Sequence, residues 1–182
     1  MEPGIILPIA LFAIVAGAVG LFLQRATGAL RATRRVEQFQ QDAAAIGARV
    51  DGLLGPALAR VDAVRRHELD PGEIIDELDA VIQGLDDELA RVEELVAPPA
   101  YAESRRGMLS EIRHAQRALA MVQHGCDVAV GPRARSRSTE WQISIKRGYL
   151  NLLHAREALA RHVHEMLAPA EAVARNWRTF RV

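Results

Sequence analysis

The sequence predicts an all-α protein: a single N-terminal transmembrane helix, then an up-and-down antiparallel bundle of about four helices, and a short C-terminal tail helix. Two observations carry this prediction. Residues 4–23 form an unbroken apolar run, and apolar side chains recur every three or four residues over most of the remaining chain. In addition, aromatic residues make up only 4% of the chain, and the Val/Ile/Thr alternation typical of strands is absent.

The apolar run begins at Gly4 and ends at Leu23, and it contains no charged and no strongly polar side chain. At a rise of about 1.5 Å per residue it makes a helix of about 30 Å, the thickness of the hydrocarbon core of a bilayer. Pro8 lies in its first turns, where a missing N–H group is tolerated. The sequence therefore predicts a membrane anchor over residues 1–24.

The distribution of basic residues around the anchor predicts its orientation. Only Glu2 and the N-terminus precede the run, whereas a basic juxtamembrane segment, residues 25–35, follows it. Basic residues near an anchor stay on the cytoplasmic side, so we expect a single-pass cell-membrane protein with its N-terminus outside and its C-terminal domain in the cytoplasm. A cleaved signal peptide, or an anchor inserted in the opposite direction, is the alternative, although a signal peptide usually has a shorter run preceded by basic residues.

Charge is balanced over the 182 residues, with 23 basic and 23 acidic side chains, but it is unevenly arranged. Residues 36–97 hold 15 acidic and 5 basic side chains, net −10, and residues 98–182 hold 7 acidic and 14 basic ones, net +7. The bundle, predicted over residues 36–168, thus has an acidic half (36–97) and a basic half (98–168). We expect the two halves to pack against each other, since nearby opposite charges compensate first.

The first bundle helix carries an apolar seam from Val36 to Val64. Pro56 falls inside it, next to Gly55, and predicts a kink or a break, because proline lacks a donor and clashes with the preceding turn. The alternative is an unbroken stalk that dimerises as a coiled coil.

Local signals place the other boundaries. Asp70 followed by Pro71 predicts the start of the second helix, which Pro98 and Pro99 end. The third helix is predicted from about residue 101 to 126. The basic loop that follows it, residues 127–138, is predicted to be mobile. Thr139 is predicted to cap the fourth helix. The tail, residues 169–182, places Val173, Trp177 and Phe180 on one side of a short amphipathic helix.

Motifs that would indicate an enzyme are missing from the sequence. Metal sites in helical bundles need two Glu-x-x-His pairs, and the chain has one, Glu111 with His114. Phosphate-binding glycine loops and paired cysteines are absent, and no nucleophile–base arrangement is indicated by spacing. We therefore predict no catalytic residue, no metal and no cofactor. The single cysteine, Cys126, fits a reducing compartment and an apolar helix position.

The basic residues are candidates for contact with anionic lipid head groups, because a basic side chain at such a surface contributes about 1 kcal/mol. Aromatic residues of the tail can lie at the same boundary. The alternatives are a solvated loop and a tail that caps the end of the bundle. Nucleic acid is an unlikely partner, since basic surface with aromatic platforms is lacking. The candidate lipid contacts are Arg25, Arg31, Arg34, Arg35, Arg133, Arg135, Arg137, Trp177, Arg178, Phe180 and Arg181.

An anchor joined to amphipathic helices without a chemical motif favours a non-catalytic interaction or scaffold module at the cytoplasmic face of the membrane. Its partner would be another protein or a second copy, and small residues four apart in the anchor, such as Ala13 and Gly17, weakly support pairing there. The alternatives are an extracytoplasmic sensor or envelope domain and, least favoured, a metal-dependent bundle enzyme.

Overall fold

The computed structural model describes residues 33–169 in full and, for residues 3–32, the helical course of the backbone alone. Over these residues the fold is all-α, with four α-helices and no strand, which confirms the predicted fold class. The helices are α1 (Pro3–Arg65), α2 (Ile75–Glu94), α3 (Ala102–Val130) and α4 (Ser138–Leu167), and 3-10 segments at Pro71–Ile74 and Pro99–Tyr101 precede α2 and α3.

The chain divides into two compact units, Met1–Gln38 and Phe39–Val182. The anchor predicted over residues 4–23, and the predicted tail helix from residue 170 onward, lie outside the residues described in full. In the part of the chain that is described, no helix is both long and apolar enough to cross a membrane.

Contacts between neighbouring helices establish an up-and-down bundle in the second unit, which confirms the predicted architecture. Along each antiparallel pair, a residue late in one helix meets a residue early in the next. The contacts that show this order are Arg49–Glu88 and Arg60–Glu77 (α1 and α2), Arg113–Glu93 and Gln123–Asp79 (α2 and α3), Gly125–Ile145 and Gly107–His162 (α3 and α4), and Arg65–Tyr149 and Gly47–Val163 (α1 and α4).

Each of the four helices buries one apolar stripe, as the spacing of three and four predicts. Among the described residues, the largest side chains with almost no solvent exposure are Leu54, Ile74, Leu78, Leu85, Tyr101, Met108, Ile112, Leu119, Ile145, Leu152 and Met166. The charged halves compensate each other in part. Of the four ion pairs that join different helices within residues 33–169, Arg113–Glu93 and Arg156–Asp51 connect the acidic half to the basic half.

The break expected at Pro56 is absent, because α1 continues through it to Arg65. The missing N–H of Pro56 leaves the carbonyl of Gly52 without its helical partner. Both residues face solvent, so water can satisfy that carbonyl, while Leu54 and Ala57 on the opposite side remain buried. Packing on either side of the proline therefore outweighs the loss of one hydrogen bond.

The junction between α1 and α2 follows the sequence closely. His67 adopts a φ of 59°, and the N–H groups of His67 and Glu68 donate to carbonyls at the end of α1, which is the hydrogen-bond pattern of a Schellman cap. Asp70 then accepts a hydrogen bond from the Gly72 N–H at 2.7 Å, confirming it as the cap of the following 3-10 segment.

The third helix is longer than predicted, and the predicted loop is correspondingly shorter. α3 runs on to Val130, so residues 127–130 are helical and the connection comprises residues 131–137. Gly125 is not a terminator. A Cβ atom there would lie 2.7 Å from Cγ1 of Ile145, so this glycine allows the last turns of α3 to approach the first turns of α4 closely.

The predicted cap at Thr139 is also wrong. α4 begins at Ser138, and Arg137 occupies the cap position without a side-chain hydrogen bond to the helix. The turns of the preceding connection lead directly into the helix, since the Arg137 carbonyl already accepts from the N–H groups of Glu140 and Trp141. Arg137 also pairs with the Glu140 carboxylate in the first turn of α4.

Cys126 is fully buried, as its apolar position predicts. Burial raises the pKa of its thiol to about 12, and the nearby carboxylates of Asp127 and Asp70 act in the same direction. The thiolate is the reactive form, so this cysteine behaves as a small apolar side chain in the folded bundle.

Candidate functional site

An apolar concavity lies between α1 and α4 in the described residues, and we call it the α1–α4 groove. It has a cavity volume of about 310 Å³, at the lower end of the range for ligand pockets in proteins. Met108 of α3 lies at its floor. The groove is lined by Gly47, Val50, Asp51, Leu54, Met108, Arg156, Leu159, Ala160, Val163, His164 and Leu167.

Small side chains create this groove. A Cβ atom on Gly47 would lie 2.7 Å from Cγ2 of Val163, so the two helices approach closely at that level. Three residues earlier in α4, Ala160 projects only a methyl group and leaves the space above Val50 and Leu54 open. The resulting channel follows the helix axes, and its apolar walls suit a second helix better than a polar small molecule.

The two ends of the groove differ in polarity. At one end, Nε of Arg156 donates to Oδ1 of Asp51 at 2.7 Å, and this hydrogen bond lowers the pKa of the Asp51 carboxyl. The Asp51 side chain is 60% exposed, so its carboxylate can also accept hydrogen bonds from solvent or from a ligand. At the other end, Leu167 is 45% exposed although it is a large apolar residue. The groove thus offers an acidic acceptor at one end and uncovered apolar surface at the other.

The end of α4 is held by side chains from two other helices. The Tyr101 hydroxyl donates to the Ala168 carbonyl at 2.8 Å. The Gln40 side-chain amide donates to the carbonyls of Met166 and Ala168 at 3.1 and 3.3 Å. Carbonyls at a helix end lack helical partners, so these bonds satisfy them and fix the point at which the chain leaves α4.

A polar network also joins α3 to α4 near this end. The buried Ser104 hydroxyl donates to Oε2 of Glu165 at 3.1 Å, and Nδ1 of His162 lies 3.2 Å from the same oxygen. The serine contacts the carboxylate and not the imidazole, so the three side chains do not form a nucleophile–base pair. Gly107 provides space for the His162 ring, which packs against it.

The remaining histidines give no metal centre. Within residues 33–169 no group of three or more His, Cys, Asp or Glu side chains is arranged to hold a metal ion. In the half-motif noted in the sequence, Nδ1 of His114 lies 3.0 Å from a carboxylate oxygen of Glu111. These two residues line a second, more polar cavity between α3 and α4, in which Arg117 and Arg161 oppose the carboxylates of Glu111 and Glu157. Mixed charge of this kind selects no class of ligand.

The structure separates the candidate lipid contacts. Arg34 and Arg35 are exposed and belong to the first unit, whereas Arg25, Arg31 and the tail residues Trp177, Arg178, Phe180 and Arg181 lie outside the fully described residues. Arg133, Arg135 and Arg137 occupy the connection between α3 and α4, at the end of the bundle opposite Phe39. Within the second unit, the α1 stretch from residue 39 to residue 65 is about 40 Å long.

None of the groove residues was singled out by the sequence. Asp51 and Arg156 are 105 positions apart, and no spacing within one helix reveals such a pair. The sequence signals that could have indicated the groove are two small residues. Gly47 lies within the apolar seam of α1, and Ala160 lies on a face of α4 whose other residues are larger. No protein-family model, curated protein or solved structure matches the chain, so its function must be argued from the geometry of the groove.

Proposed function

We propose that this protein is a non-catalytic, single-pass membrane protein whose bundle binds an amphipathic helix of a partner protein in the α1–α4 groove at the cytoplasmic face. The observation that carries this proposal is the groove itself, a channel of about 310 Å³ with apolar walls and the exposed carboxylate of Asp51 at one end. The fitting occupant is a helix with apolar residues at helical spacing and a basic residue placed to reach Asp51.

Membrane attachment rests on the chemistry of residues 4–23. Twenty residues without charge satisfy their backbone hydrogen bonds internally as a helix, which is the condition for stability in lipid. The four arginines of residues 25–35 then favour a cytoplasmic bundle. We assign the lipid head-group contacts to these four arginines, because they directly follow the proposed anchor in the sequence.

Anchoring and orientation have a direct test. The full-length chain is expected to stay in the membrane pellet after alkaline carbonate extraction, because an integral helix resists a wash that removes peripheral proteins. A C-terminal fusion to a reporter active only in the cytoplasm should be active, and a fusion to a reporter active only outside should be silent. Release by carbonate would contradict the integral anchor. The reverse reporter pattern would place the bundle outside the cytoplasm and favour the extracytoplasmic alternative.

Helix binding in the groove is tested by photo-crosslinking in intact membranes. A photoreactive phenylalanine analogue at Ala160, which is exposed and lines the groove, should give a crosslinked product whose attachment site is identified by mass spectrometry. The matched control is the same analogue at Ala120, which is exposed on α3 away from the groove. Crosslinks to an amphipathic helical segment of another protein only from position 160 support the proposal, whereas equal labelling from both positions, or crosslinks only within the chain itself, contradict it.

A further inference from the structure

We infer that the chain's own C-terminal segment, residues 170–182, occupies the α1–α4 groove and competes there with the partner helix. This inference rests on the proposed function, since it names an internal occupant of the same groove. It predicts a bundle whose binding surface is covered until a partner displaces the tail.

The point at which the chain leaves α4 favours this occupant. Ala168 is extended, with φ −70° and ψ 151°, so the helix stops there and Pro169 follows. The Ala168 carbonyl is held by Tyr101 and by Gln40, and Gln40 belongs to α1. The tail therefore begins where α1 and α4 meet, next to the uncovered side chain of Leu167, which is itself part of the groove.

The length of the tail matches the length of the groove. Along α4 the groove extends from Leu167 back to Arg156, eleven positions or about 17 Å. The 13 residues from 170 to 182 span about 20 Å as a helix, and more if extended. A chain that reverses direction after Pro169 can therefore cover the whole channel.

The residue pattern of the tail complements the groove. Val173, Trp177 and Phe180 are spaced four and three apart, so a helix places them on one side, as binding in an apolar channel requires. Three arginines, at positions 175, 178 and 181, are the only charged residues after Glu171. An arginine late in the tail would reach the far end of the groove, where the Asp51 carboxylate pairs with Arg156 and is 60% exposed.

Covalent connection gives the tail an advantage over any free segment. A tethered ligand experiences an effective concentration in the millimolar range for a short linker, so weak intrinsic affinity suffices to fill the groove. A partner helix must then bind more tightly than the tail, or the membrane must withdraw the tail through its aromatic residues.

The test measures competition by the tail. A fluorescently labelled synthetic peptide of residues 170–182 is titrated by anisotropy against the full-length chain and against a chain ending at Pro169, both in nanodiscs. We expect the peptide to bind the shortened chain at least about tenfold more tightly than the full-length chain, because the tethered tail blocks the site. Ala160→Glu in the shortened chain should abolish binding, and Ala120→Glu should leave it unchanged.

Other results would overturn the inference in distinguishable ways. Equal binding to both chains would show a groove that binds helices but is open in the full-length protein, so the proposed function would survive alone. No binding to either chain would exclude the tail as occupant, whereas the crosslinking experiment would still report on a partner.

Tryptophan fluorescence separates the groove from the lipid as the location of the tail. In a full-length Trp141→Phe variant, Trp177 is the sole tryptophan. Its emission should shift to longer wavelength when Ala160→Glu is added, and brominated lipids in the nanodisc should not quench it. Strong quenching by these lipids, with no response to Ala160→Glu, would place the tail on the membrane and overturn the inference.

Discussion

Replacing Gly148 with alanine is expected to destabilise the bundle by about 3 kcal/mol or more, whereas the same replacement at Gly52 is expected to stabilise it by about 0.5–1 kcal/mol. Gly148 lies in α4 against α3. A Cβ atom on it would lie 2.5 Å from Cγ2 of Val122 and 2.9 Å from the backbone oxygen of Ala118. Because a backbone atom cannot rotate away, α3 and α4 would have to separate.

Gly52 provides the matched control, because it is also a helical glycine but faces solvent. No atom outside its own helix turn lies within 4 Å of a Cβ placed on it. Alanine there reduces the backbone entropy of the unfolded chain and adds no clash. Urea unfolding of the two variants and the parent, followed by circular dichroism in mild detergent, gives the difference in unfolding free energy. Similar midpoints for Gly148→Ala and the parent would show that α3 and α4 can separate cheaply.

These two glycines illustrate what the sequence could and could not predict. Helical periodicity, Asp70 with Pro71, and the double proline at 98 and 99 predicted most of the elements, because these signals act within a few residues of the chain. Whether a glycine ends a helix or lets another helix approach depends on a neighbour far away in sequence. Gly125, for example, lies inside α3, where Ile145 of α4 packs closely against it.

The same reasoning explains why α1 does not break at Pro56 and why the sequence did not indicate the groove. The local penalty of Pro56 is predictable, but its compensation comes from buried residues of α1 that pack on other helices. The groove likewise depends on two helices far apart in sequence, since Gly47 packs closely against Val163 and Ala160 lines the opening beside them. One-dimensional spacing defines the apolar face of each helix and does not define where two faces leave a gap.

The second large effect on the stability of the bundle is expected from substitutions in the ion pair of the buried Glu88 carboxylate. Its side chain is 6% exposed, and Oε1 accepts hydrogen bonds from Arg49 at 2.8 Å and from Arg91 at 3.0 Å. Oε2 is buried without a partner. The hydrogen bond to Glu88 raises the pKa of Arg49, consistent with an ion pair formed between α1 and α2.

Removing the two partners of this ion pair should have unequal consequences. Arg49→Met leaves a buried carboxylate with Arg91 as its remaining partner, and we expect a loss of about 2 kcal/mol or more. Glu88→Met removes the buried charge together with its unpaired oxygen, while Arg49, at 43% exposure, can turn its guanidinium to water. The second variant should therefore be as stable as the parent or more stable, because apolar replacements of buried ion pairs are often neutral or favourable.

The double variant distinguishes this explanation from a simple loss of packing. If the cost of Arg49→Met comes from the stranded carboxylate, adding Glu88→Met should restore most of the lost stability, and the coupling energy of the two changes should exceed about 1 kcal/mol. If the arginine stabilises α1 mainly through the packing of its aliphatic stem, the two effects should add. Urea midpoints of the four proteins measure this coupling. If both single variants lose stability and the two losses add in the double variant, Glu88 itself stabilises the bundle. The explanation that Arg49 merely compensates a buried charge would then be wrong.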